Sequence, residues 1–579
     1  MLFQNIIIKE ERNMKKTIAL ILTVVMLMAC VPTVIVSATP TAYNGTPDES
    51  WYTDEVKESK TVTLTTAEQL AGLASLVNNG TTFEGYTIKL GADIVINDYT
   101  KAELEAYAVD GTIPAGKSAP TTWIPIGNGS AHFYGVFNGQ GHTIKGAYSS
   151  STESGHHNLG IFGSIASGAI QNLIVTDTYF CGDLNIGGVV GMMGVIGATV
   201  NSVYCDATVK ATSLSGAKKG YAGGIVGAAY TSGATFKDCV FVGEADSRGQ
   251  YAAGILGAAT SGNGNFSFKN CANYGTISAR LKAGGITGLV QKHSGVVFDT
   301  CINAGIVKVT TEGTDKETGE PTYSKEAGIL VGASYGDDAQ KSDATVKDFV
   351  YVADICVNAI GESLGDRMVS FVSDTSSSFA VFTYTQTGDD GTVAAVEAPK
   401  KVDTIDALKG KTTNLTPAFD GWYFEDGQLP LPGGVAIAMG KASIGAIRAV
   451  SSQASAAKND KFNLRFIATI DKLDYEEFGF EISYTLPGAT EATVVKNVEK
   501  NVYTEIYGVT PEFDILTKKA SDHNAEYLFT TTVSDLPATG TIVFTVKPYT
   551  KAANAEAELG VGYTVTYTDG AFVGAQALS

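Results

Sequence analysis

Short runs that alternate apolar and polar residues dominate the middle of the chain. "VNSVYCDATV", "FKDCVFVGEA", "FKNCANYGTI" and "FDTCINAGIV" read as strands of period two. No apolar period of 3.6 intervenes between them, so the pattern predicts strand following strand. The runs are punctuated by glycine phrases: "GIFG" ending at Gly163, "GGVVG" at Gly191, "GGIVG" at Gly227, "AGILG" at Gly257, "GGITG" at Gly288 and "GILVG" at Gly332. Their spacings are 28, 36, 30, 31 and 44 residues, and four are followed 12 to 14 residues later by a cysteine: Cys205, Cys239, Cys271 and Cys301. One unit is therefore a glycine motif, a polar turn and a strand. A unit this short cannot bury a core alone, but stacked units can. The pattern predicts a parallel β-solenoid with rungs ~4.8 Å apart, its glycines supplying turns of positive φ or close backbone approach.

Thr65 to Asn79 is the exception. Leu70, Leu73, Leu76 and Val77 share a helical face, Thr65 and Glu68 match a capping box, and Gly80 stands where a C-terminal cap belongs. A short helix covering the first rung is expected, because a solenoid must cover its open ends. "VDTIDALKG" (402–410) and "GWYFEDGQLPLP" (421–432) are expected to close the other end. From about Ala442 onward the cysteines and glycine motifs stop, and six or seven alternating runs predict a β-sandwich of immunoglobulin-like type. The expected organisation is 1–38 signal peptide, 39–60 linker, 61–435 solenoid and 436–579 sandwich.

The glycine units resemble the GLUG-motif repeats of secreted bacterial proteins with a right-handed parallel β-helix of pectin-lyase-like architecture. "WIPIGNGSAHFYGVFNGQGHTIKG" (123–146) and "TTAEQLAGLASLVNNGTTFEGYTIKLGADIVI" (65–96) resemble that family's entry segments, and residues 421–432 its closing one. The resemblance spans about residues 60 to 435. It implies an all-β, right-handed β-helix of adhesin-like or sugar-associated use. The C-terminal part resembles modules of secreted clostridial-type proteins.

Charge and targeting change the picture next. Lys15-Lys16 followed by the uncharged run Thr17–Met28 reads as an export signal too short to span a bilayer. Cleavage after Ala38 is expected, with Met1 or Met14 as the start. "LMAC" ending at Cys30 keeps a lipoprotein alternative open. Without residues 1–38 the chain holds 37 basic and 58 acidic residues, a net charge of −21. That disfavours nucleic acid and anionic lipid as partners. No transmembrane span is expected in the mature chain. "LPATG" (Leu536–Gly540) matches a sortase signal, but no apolar span with a basic tail follows it, so a turn into the strand Thr541–Val546 is expected.

Candidate chemistry is sparse. Cys181, Cys205, Cys239, Cys271 and Cys301 fall one per unit without metal-ligand spacing, which predicts an internal ladder of unpaired thiols. Asp337-Asp338 and Asp389-Asp390 read as solvated turns; Asp337, Asp338 and Asp343 with Lys341 could hold Ca²⁺ or an acidic sugar. His142 reads as a turn residue, and His156-His157 has no acid partner nearby in sequence. Trp123, Trp422 and Trp51-Tyr52 read as packing residues. No catalytic, cofactor-binding or metal residue is assigned, and no cofactor is expected. The expected function is a secreted, surface-associated, non-enzymatic protein of adhesin or glycan-binding type, with extracellular or cell-wall glycans or a host surface as partner. The alternative is a polysaccharide lyase or glycoside hydrolase with its site on the flank.

Overall fold

The computed structural model describes residues 42–577 except 154, 196, 214–219, 232, 261–264, 292–294, 315–320, 324–325, 336–343, 373–382, 389–391, 411–414, 416–417, 420–421, 426, 440–449, 454–460, 471–474, 490, 499–501, 504, 507–517, 520–526, 538, 552–556, 561 and 570. The described chain is all-β. Its first part is built from three large sheets of 22, seven and five strands, parallel throughout except that Val393–Val396 pairs antiparallel with Thr383–Thr387 in the first. One unit shows how they arise. Ala234–Phe241 and Glu244–Ser247 lie in the long sheet, Tyr251–Ala253 in the five-stranded sheet and Leu256–Ala259 in the seven-stranded sheet. Each pairs in parallel with its counterpart in the next unit: Ala234 with Phe266, Glu244 with Thr276, Tyr251 with Lys282, Leu256 with Thr287. The sequence period is thus the rise of one rung.

Inside the stack, like residues face like. Phe236, Phe268 and Phe298 stack at 4.9 and 5.0 Å with nearly parallel planes. Cys239, Cys271 and Cys301 occupy consecutive positions of the neighbouring inner column. All three are free and buried, and each Sγ donates to backbone carbonyls: Cys271 to Phe236 O and Lys269 O at 3.6 and 3.4 Å, Cys301 to Phe268 O and Asp299 O at 3.4 Å. The expected five-membered ladder is therefore three-membered. Cys205 sits two residues out of step, paired with Phe241, while Val203 takes the column position beside Cys239. Cys181 lies on the outer face of its strand, packed with Tyr99, Leu104, Tyr148 and Tyr179.

The motif glycines act by close approach. None has positive φ. A methyl on Gly188, Gly224, Gly254 or Gly285 would overlap Cys205, Phe241, Asn273 or Asn303 respectively, one inner column of the long sheet. The left-handed bends fall elsewhere: Asn172, Ser202, Asp238, Asn270, Thr300 and Asp348 all have φ between 50° and 56°, one per rung, just before the inner column that holds the cysteines. Asn and Asp tolerate that region through local hydrogen bonds; Thr300, β-branched, is the strained member.

Helix α1 (Asp54–Ser59) precedes the first strand, and α2 (Ala67–Asn78) follows it. Leu70, Leu73 and Val77 of α2 are buried in the core of the stack, and Leu76 is half-buried. The cap is one residue later than expected. Thr66, not Thr65, accepts from Gln69 N, and Gln69 Oε1 accepts from Thr65 N at 2.8 Å. Helix α3 (Lys101–Asp110) lies in an insertion between Ile96 and Trp123. Helix α4 (Gly433–Ala438) ends the closing segment. Lys400–Val402 adds a last parallel strand beside Val350–Val352. Residues 422–438, however, lie along the side of the stack rather than across its end: α4 packs on the strands Ala169–Gly182, Thr199–Ala211 and Ala234–Phe241, and Tyr274 donates to Pro430 O at 2.7 Å. The buried core of the stack thus extends to Val435 of α4.

The described residues of 450–577 form two larger antiparallel sheets and a two-stranded pair. Leu464, Phe466, Phe529 and Leu536 of one large sheet share a core with Phe480, Ile482, Phe544 and Val565 of the other. No helix among the described residues is long and apolar enough to cross a membrane.

Candidate functional site: an aromatic corner

The corner between the five- and seven-stranded sheets carries a second, outward cluster. On the five-stranded side one column holds Asn158, Asn185, Tyr221, Tyr251, Lys282 and Glu326 on successive rungs. Each precedes a glycine motif, so the repeat itself delivers these side chains to one line. On the seven-stranded side, Ala228, Ala258, Leu289 and Ala333 form an outward column, continued by half-buried Phe371. The next outward column is Tyr230, Thr260, Gln291 and Tyr335, all half-buried. Small alanines on one wall leave room for tyrosine rings from the other, as close packing requires.

Polar contacts fix the rings. Asn185 Nδ2 donates to Asn158 Oδ1 at 2.7 Å, and Tyr230 OH donates to Asn185 Oδ1 at 3.0 Å. Tyr251 OH donates to Tyr335 OH at 3.2 Å. The Tyr221 and Tyr251 rings lie 5.9 Å apart, those of Tyr335 and Phe371 5.4 Å. Lys282 pairs with Glu326, and its Nζ stands 4.2 Å from the Phe371 ring centre. Burial raises the pKa values of Tyr221, Tyr230 and Tyr251, so all three stay protonated donors at neutral pH. At the corner's other end His132 Nδ1 meets the buried Ser164 Oγ, and burial lowers the His132 pKa. Tyr230 and Tyr335 are the half-buried rings of the corner, and Tyr221 and Tyr251 are buried beside them.

The sequence does not single out this line. Tyr221 and Tyr251 stand 30 residues apart, and only the register shows that they adjoin. Asp183 is a second omission. It lies 26 residues from His157 yet its Oδ1 meets His157 Nδ1, and Gly155 N donates to its other oxygen at 3.0 Å. His142 occupies a turn, donating its backbone N–H to Gly139 O at 2.8 Å, and its ring meets Asp93 at 3.3 Å. Trp123 and Trp422 are buried in the core of the stack, and Trp51 packs against Phe83. Asp337, Asp338, Lys341, Asp343, Asp389 and Asp390 lie outside the described residues. Among the described residues no cluster of three or more histidine, cysteine or acidic side chains could hold a metal ion. Leu536 ends the strand Tyr527–Pro537 with its side chain in the core, and Gly540, φ 96°, turns the chain into Thr541–Lys551.

No family model matches the chain. No curated protein matches it either. Among solved structures it is similar to a candidate immunoglobulin A1 protease from Bacteroides ovatus, at 20 % identity and a TM-score of 0.31, over 47 % of this chain and 84 % of that one.

Proposed function

We propose that this chain is an exported, surface-associated binding protein that takes a glycan along the aromatic corner. In this reading the parallel stack is a right-handed β-helix of the GLUG-repeat kind, and residues 450–577 are a sandwich serving as spacer or accessory module. The half-buried column Tyr230–Thr260–Gln291–Tyr335, backed by Tyr221 and Tyr251, carries the proposal. Such tyrosines present both a ring face and a hydroxyl to a sugar. Export rests on the sequence of residues 14–38, and attachment to the cell is non-covalent or through Cys30. The turn geometry of Leu536–Gly540 supports reading the sortase-like match as coincidence. Titrating the mature protein, Tyr230→Ala and Tyr335→Ala with oligosaccharides tests the site. Each substitution is expected to weaken binding about tenfold or more, the loss of a buried aromatic anchor. Unchanged affinity in both variants would remove the corner as the site.

A further inference from the structure

The outermost column of the aromatic corner is uneven. On successive strands it runs Tyr230, Thr260, Gln291 and Tyr335, so two rings bracket two shorter side chains. Thr260 turns its polar groups to the backbone: its N–H and its hydroxyl both donate to Ala229 O, at 3.0 and 3.3 Å. Beside this stretch, Ala258 and Leu289 are buried and close the floor. The column therefore dips between its two tyrosines into a saddle. At ~4.8 Å per rung the tyrosine strands stand about 14 Å apart, room for roughly two pyranose rings in line.

Both bracketing rings are held by their hydroxyls. Tyr230 OH donates to Asn185 Oδ1 at 3.0 Å, and Tyr335 OH accepts from Tyr251 OH at 3.2 Å. The Tyr335 ring also packs on Phe371 at 5.4 Å. The walls of the saddle are thus set before a ligand arrives, which lowers the cost of ordering them on binding. Charge is balanced at this corner: Lys282 pairs with Glu326. The four residues of the column carry rings, hydroxyls and one amide, and none is ionised at neutral pH. A charged sugar leaving water needs a countercharge, whereas an uncharged one needs hydrogen bonds and a ring face.

We infer, on the glycan-binding reading above, that the saddle over Thr260 and Gln291 is the seat within the corner and takes an uncharged disaccharide unit lying along the stack. Tyr230 and Tyr335 meet the two ends of that unit. The Gln291 amide, with two N–H donors and an accepting oxygen, meets the hydroxyls between them and sets which sugar fits. Thr260 serves by being short. A third ring at its position would continue the aromatic ridge and fill the seat.

The test probes an array of neutral and uronic-acid oligosaccharides, from single sugars to long chains, with the intact mature protein. The best binder is then titrated into variants. Neutral sugars are expected to be retained, with binding that appears at the disaccharide and gains less than about threefold on further lengthening. Gln291→Ala should weaken binding about fivefold, the loss of a hydrogen bond. Thr260→Tyr should weaken it about tenfold or more by filling the seat. Tighter binding by Thr260→Tyr would place the ligand on an unbroken aromatic ridge and overturn the saddle. Full affinity in both variants also overturns it, and leaves the corner standing if Tyr230→Ala and Tyr335→Ala still bind weakly. If those two bind fully as well, the corner itself is lost. A preference for uronic acids overturns the uncharged class, and affinity that climbs with every added sugar overturns the disaccharide length. Should Thr260→Tyr not fold, Gln291→Ala decides: unchanged affinity there overturns the seat.

Discussion

At the residue scale, the glycines and the bend residues answer different demands. Glycine motifs are plain in the sequence, but their role is not. Both positive φ and close approach explain a glycine, and only the register shows Gly224 against Phe241 and Gly285 against Asn303. Gly224→Ala is expected to destabilise by about 1–3 kcal/mol through overpacking, seen as a lower denaturant midpoint. A neutral result would mean that the stack yields freely at that corner. Thr300 shows the opposite case. A β-branched residue at φ 56° carries strain that Asn relieves, so Thr300→Asn should raise stability by on the order of 1 kcal/mol. The bend residues had a signal: an Asn, Asp, Ser or Thr directly before Cys, Val, Leu or Phe recurs in "QNL", "NSV", "KDC", "KNC", "DTC" and "KDF". Each triplet is ordinary alone, so only the register sets them apart. The thiols give a pH dependence. Burial raises Cys205, Cys271 and Cys301 well above their ordinary value, and Cys356 to about 12. The unfolded chain then loses these protons first. Stability should therefore be insensitive to them below pH ~9 and fall as pH rises from there toward 12. Urea midpoints at pH 7.5 and about pH 10 check this; equal midpoints would place the thiols in water.

At the element scale, local patterns are legible in the sequence. The α2 face came from spacing, and only its cap moved by one residue, since Thr65 and Thr66 both qualify. The turn at Leu536–Gly540 followed from Pro, Gly and the alternation beyond them. Long-range placement was not legible. Nothing local says that residues 422–438 lie on the side of the stack, that Cys181 faces outward, or that Asp183 meets His157. Such partners come from register, and register depends on loop lengths that differ from unit to unit. The aromatic stack offers an element-scale test. Phe268 lies between Phe236 and Phe298, so Phe268→Ala should cost about 3–5 kcal/mol. A cost below 1 kcal/mol would mean the rungs close over the gap.

At the scale of the whole molecule, two cores are built on different principles. Tyr43 to Val435 supply one continuous cluster from parallel rungs, and Leu464 to Tyr567 supply another from antiparallel sheets. A chain ending after Met439 is expected to keep a cooperative melt, since among the described residues the buried members of its core end at Val435 and Met439 packs against them. The repeat also explains why a site could form without a catalytic motif in the sequence. Each unit places one outward residue beside each glycine motif, and the line becomes a surface only after stacking. The most direct test of a binding function is to incubate the mature protein with a panel of polysaccharides and follow both retention and the appearance of new chain ends. The account predicts retention of a subset, weakened in Tyr335→Ala, with no new ends over time. Steady release of new ends by the unmodified protein, or retention of nothing on the panel, would contradict it.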